Sequence, residues 1–99
     1  MHILLFYDYV PDYAARREAF RAAHLALARQ AEAEGRLLLA GTTSDPGPGA
    51  VLLFQAASPE EVQAFVAADP YVQNGLVTRW RLQPWHTVIG RGATAPIGP

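Results

Sequence analysis

The most constraining feature of this chain is its first strand-like segment, His2-Ile-Leu-Leu-Phe-Tyr-Asp-Tyr9, which has no polar face. Successive side chains of a strand point to opposite sides. Ile3, Leu5, Tyr7 and Tyr9 therefore share one face, and Leu4, Phe6 and Asp8 share the other. A strand apolar on both sides belongs inside a sheet with both faces covered. In a chain of 99 residues, half of them hydrophobic, there is room for one such two-layer core and no more.

The remaining elements follow from local signals. Pro11-Asp12 breaks the strand, and Asp12 is placed to cap a helix from Tyr13 to Glu34. Tyr13, Phe20, His24, Leu27 and Ala31 fall on one stripe of that helix, and Gly35 suits its left-handed cap. Arg36 to Ala40 reads as a second strand, Gly41 to Gly49 as a turn-rich loop, and Ala50 to Gln55 as a third strand. Ser58-Pro-Glu-Glu61 has the pattern of a capping box. The helix it opens has Val62, Phe65 and Val66 inward and stops at Asp69-Pro70. An irregular turn over Tyr71 to Gly75 leads to a fourth strand, Leu76 to Pro84, which His86 to Ile89 would briefly extend.

The order β-α-β-β-α-β predicts an α+β, ferredoxin-like plait: an antiparallel sheet with both helices on one face. One domain over residues 1–90 is expected, with a Gly- and Pro-rich flexible tail at 91–99. The uncovered sheet face would expose residues such as Leu37, Leu39, Val51 and Leu53, so a homodimer packed through that face is expected.

Composition removes several functions. Eight Arg against nine acidic residues, with a net charge of −1, give no basic footprint for nucleic acid and no polybasic membrane patch. No apolar run reaches the ~20 residues of a membrane span, and Met1 to Tyr9 lacks the form of a secretory leader. The cytoplasm is the expected compartment. Without cysteine there is no disulfide, thiolate site or cysteine nucleophile. Three scattered His without metal-ligand spacing predict no metal, and no dinucleotide or phosphate-loop motif predicts a cofactor.

Two residues stand out chemically. His24 interrupts the apolar stripe of the first helix, where it reads either as a hydrogen-bonded core histidine or as a general acid or base. Asp69 lies at the end of the second helix, where the macrodipole disfavours a carboxylate, and reads either as turn chemistry or as a functional group.

Arg21-Ala-Ala-His24-Leu25, Gly35-Arg-Leu-Leu-Leu-Ala-Gly41, Ala68-Asp69-Pro70-Tyr71 and Gln83-Pro84-Trp85 together resemble the YciI-like (YCII-related) family. The resemblance spans nearly all of Met1 to Ile89. It departs at Thr42-Thr43-Ser44, where many relatives have a proline after the glycine. It implies a dimeric α+β barrel fold and an active site built on a His–Asp pair, carried here by His24 and Asp69. It places Tyr7, Gly41, Ser44 and Tyr71 as pocket neighbours that bind substrate. The function so implied is a small cofactor-independent enzyme, of lyase or isomerase type, acting on a small organic acid, lactone or ring-cleavage compound. The alternative is a non-catalytic dimeric module that binds a small molecule.

Overall fold

The computed structural model describes residues 1–98. Four strands, β1 (His2–Tyr9), β2 (Leu37–Thr43), β3 (Gly49–Gln55) and β4 (Val77–Trp85), form one sheet in the order β2-β3-β1-β4, with every neighbouring pair antiparallel. The helices are α1 (Tyr13–Arg16), α2 (Glu18–Ala33), α3 (Pro59–Ala68) and α4 (Pro70–Gln73). β1 is central, as its two apolar faces require. Ile3, Leu5, Tyr7 and Tyr9 are buried beneath the helices with Leu52, Phe54, Val62, Phe65 and Val66. Phe54 and Phe65 meet edge to face, 5.0 Å between ring centres, and tie α3 to the sheet.

The first long helix is divided. At Arg17 the ladder shifts: the Phe20 amide donates to the Arg17 carbonyl three residues back, at 2.9 Å. The short α1 is held to the sheet by Tyr13, which stacks on Tyr9 at 4.4 Å. Gly35 takes φ +77°, and Arg36 and Gly35 amides close back on the Ala31 and Glu32 carbonyls, a complete Schellman ending.

Other expectations also need correction. β2 runs on through Gly41-Thr42-Thr43, so the connection to β3 is only residues 44–48. The β-branched Thr42 and Thr43 pair with Ala50 and Gly49, which overrides the turn signal of the glycine. Gly49 is required there, because a Cβ would lie 2.5 Å from the Tyr7 carbonyl oxygen. Secondly, a bulge between Leu37 and Leu39 turns Leu37 under the helices and Leu39, 71% exposed, to the open face. Thirdly, the capping box is not made: the Ser58 hydroxyl makes no capping bond, and Glu61 accepts from the Ala57 amide, one residue before the cap, at 3.2 Å.

Past β4 the chain does not continue the sheet. His86 to Ile89 are not strand, and the Thr87 hydroxyl instead pairs with His2 Nδ1 at 2.8 Å and accepts from the Thr94 amide at 2.8 Å. The open face of the sheet carries Leu4, Phe6, Leu39, Val51, Leu53 and Trp85, with the Arg81 guanidinium 3.9 Å from the centre of the Phe6 ring. Among the described residues no helix is long and apolar enough to cross a membrane.

Candidate functional site

The site is built by a proline. Pro70 forces Asp69 out of helical geometry, to φ −74° and ψ 119°, which ends α3 and starts α4 in one residue. The Asp69 side chain turns inward and is fully buried. Its Oδ1 accepts from the Tyr71 amide at 3.0 Å and from His24 Nδ1 at 2.8 Å, and its Oδ2 accepts from the Tyr7 hydroxyl at 2.8 Å. The unfavourable position at the end of α3 is thus offset by capping α4 and by two side-chain donors. Three donors on one buried carboxylate compensate its removal from water.

His24 reaches this carboxylate from the middle of α2, across 45 residues of sequence. Its ring lies flat on Tyr71, 3.8 Å between centres and 6° between planes. An ionised carboxylate can only accept, so Nδ1 is the protonated nitrogen of the neutral ring and Nε2 carries the free lone pair. Nε2 has no hydrogen-bond partner among the described residues, and the side chain remains 13% exposed. His24 forms part of the wall of a cavity of about 210 Å³ between α2 and the sheet. Tyr9, Ala28, Ala40, Gly41 and Leu52 complete much of that wall, to which no carboxylate or guanidinium belongs.

Of the residues singled out in sequence, His24, Asp69, Tyr7 and Tyr71 meet in one cluster, and Gly41 lies on the cavity wall. Tyr7 is 2% exposed with its hydroxyl engaged by Asp69, which makes it a support for the carboxylate. Ser44 lies beyond the end of β2 and is exposed, outside both the cluster and the cavity wall. Tyr9 was missed as a wall residue, although its place beside Tyr7 on the helix-covered face of β1 was the signal for it.

Burial drives the Tyr7 hydroxyl far above the ordinary tyrosine pKa of about 10, and the adjacent Asp69 charge and hydrogen bond add to the rise. Tyr9 is raised by burial and then by the Asp69 charge, and Tyr71 is raised by burial. These folded-state values exceed the unfolded ones, so the unfolded chain releases its protons first. The stability they confer is fully present below about pH 10 and is lost as pH rises beyond it. In an alkaline titration, tyrosinate absorbance from these three rings should develop together with loss of near-ultraviolet dichroism. Complete ionisation of every tyrosine with the fold intact would contradict the burial described here.

A model of the YCII-related domain matches residues 1–86, which contain the whole cluster. The chain belongs to the YCII-related family. This YCII-related chain is 34% identical to Protein YciI of Escherichia coli over 98 residues, spanning 87% of this chain and all of that one. An uncharacterised protein of Haemophilus influenzae is 30% identical over 98 residues, spanning 90% of this chain and all of its own length. Among solved structures, the 5-chloro-2-hydroxyhydroquinone dehydrochlorinase TftG of Burkholderia phenoliruptrix, in complex with 2,5-dihydroxybenzoquinone, superposes with a TM-score of 0.75 at 26% identity, covering 88% of this chain and 95% of that one. The YCII-related fold is that of the dimeric α+β barrels, in agreement with the sheet order and the single helical layer.

Proposed function

We propose that this YCII-related protein is a small-molecule acid–base enzyme of lyase or isomerase type, with His24 as the proton carrier and Asp69 as its anchor. One observation carries the reading: His24 holds a fully buried carboxylate through Nδ1 while the same ring forms the wall of a cavity. A fixed imidazole with one free nitrogen takes a proton from an acidic position of a bound compound and returns it elsewhere. Asp69 orients the ring and stabilises the imidazolium formed during transfer. Moving a proton in this way consumes no oxidant or reductant, so the reading invokes no cofactor. Tyr71 fixes the imidazole plane, and the Gly41 backbone borders the place where ligand would lie.

The likeness to TftG supports the class, since a dehydrochlorinase removes a proton and a chloride from its substrate, and that protein is complexed with a small cyclic quinone. The test is a thermal-shift screen of lactones, cyclic enols and small carboxylates, followed by turnover assays on every compound that raises the midpoint. His24→Gln should cut turnover by about 10²-fold or more while leaving the fold. Binding without turnover by the wild type would leave the protein a ligand-binding module instead.

We further propose that two copies pair through the open sheet face, where Leu4, Val51, Leu53, Leu39 and Trp85 form an apolar surface that Leu39, at 71% exposure, and Trp85, at 47%, present to water. Leu53→Arg places a charge at the centre of this face. Light scattering at micromolar concentration should show a dimer for the wild type and a monomer for the variant. A monomeric wild type would remove the proposal.

A further inference from the structure

The cavity beside His24 has a neighbour. A second hollow of about 270 Å³ runs along the groove between α2 and β2, walled by Leu25, Leu37, Leu38 and Leu39 with Arg29 and Glu32 also bordering it. The two hollows share Leu25, Ala28 and Ala40, so they adjoin one another. The shared wall is Leu25 and Ala28 on α2 and Ala40 on β2, and the two alanines have the smallest side chains that still carry a Cβ. A larger residue at either position would partition the groove. The bulge in β2 contributes as well, since it lets consecutive leucines serve different surfaces and leaves Leu38 46% exposed.

We infer that the ligand whose reactive head lies at His24 carries a short apolar chain, which passes between Ala28 and Ala40 and lies on Leu37 and Leu38. This assignment rests on the reading that a small cyclic compound occupies the His24 cavity. The chemistry of the second hollow favours hydrocarbon: its walls are mostly aliphatic, and the single positive and single negative side chains on its border oppose one another in sign. An anionic tail would meet Glu32 as well as Arg29. The hollow is too small for a folded partner, whereas an alkyl or alkenyl substituent fits it and removes the exposed leucine surface from water.

The test is calorimetric titration of the whole protein with phenol, para-cresol, para-ethylphenol and para-propylphenol, which share one head and differ only in chain length. Affinity should climb about three- to fourfold with each added carbon, the gain from moving a methylene out of water. Leu38→Ser removes an apolar wall outside the His24 cavity and should flatten the series. Ala28→Leu fills the junction and should flatten it with Leu38 untouched. A flat series in the wild type, a steep series that survives both substitutions, or failure of every phenol to bind overturns the inference. A steep series with no turnover of any compound would sink the acid–base reading and leave the groove assignment standing. Turnover with a flat series would do the reverse.

Discussion

Asp69→Ala is expected to lower the free energy of unfolding by about 3–5 kcal/mol, a large share of the 5–15 kcal/mol that stabilises a domain of this kind. The reason is the number of donors left behind. The carboxylate receives His24 Nδ1, the Tyr7 hydroxyl and the Tyr71 amide, and alanine offers none of them an acceptor. Each buried donor so orphaned costs about 1–3 kcal/mol. Tyr7→Phe makes a useful comparison, because it deletes one donor while the carboxylate keeps two. Its cost should be about 1.5–3 kcal/mol, the range for a hydrogen bond to a charged group. Urea unfolding followed by dichroism measures both, with unchanged slopes showing that only stability has moved. If Asp69→Ala proved milder than Tyr7→Phe, Asp69 would not be the hub of the cluster.

That hub was only partly legible in the sequence. Asp69-Pro70 fixed the end of α3, and the stripe through Phe20, His24 and Leu27 fixed the buried side of α2, so both partners could be placed on the inner side of their helices. The alternation in β1 put Tyr7 on the same side. What alternation cannot supply is distance: Tyr7 and Asp69 are 62 residues apart, and only the packing of α3 and α4 on β1 brings a hydroxyl to 2.8 Å from the carboxylate. Nor did sequence indicate that Asp69 caps a further turn of helix, since Tyr71 to Gly75 reads as loop when the capping side chain is counted against the previous helix.

The misreading of β2 has a different cause. Leu37-Leu38-Leu39 contains no polar residue to mark a face, so its register is undetermined until the partner strand sets it. Pairing with β3 introduces the bulge, which sends Leu37 to the core and Leu39 outward. The same pairing converts Gly41-Thr42-Thr43 from loop to strand and thereby places Gly41 on the cavity wall. Part of the wall of the candidate site, Gly41 and Thr42, therefore lies in a segment whose local signals spoke for a turn. Family resemblance named the His–Asp pair and Gly41, while the strand pairing brings Ala40, Thr42, Ala50 and Leu52 to the same cavity.

The largest catalytic effect should come from the pair itself. On a turned-over compound from the screen, His24→Gln should lower kcat about 10²–10⁴-fold, the usual worth of a positioned proton carrier. Asp69→Asn is the informative companion, because an amide oxygen can still accept from His24 Nδ1 and the Tyr71 amide while the negative charge is gone. The Tyr7 hydroxyl can turn to accept from the amide nitrogen, so the fold should survive far better than in Asp69→Ala. Asp69 is fully buried and does not border the cavity, so its loss should reduce kcat and leave KM nearly unchanged. The double variant should be no slower than His24→Gln alone, because a carboxylate that works through the imidazole has nothing to act on once the imidazole is removed. Two effects that simply multiply would mean that Asp69 meets the substrate by another route, and the buried Oδ1 and Oδ2, each already holding donors from the protein, offer none.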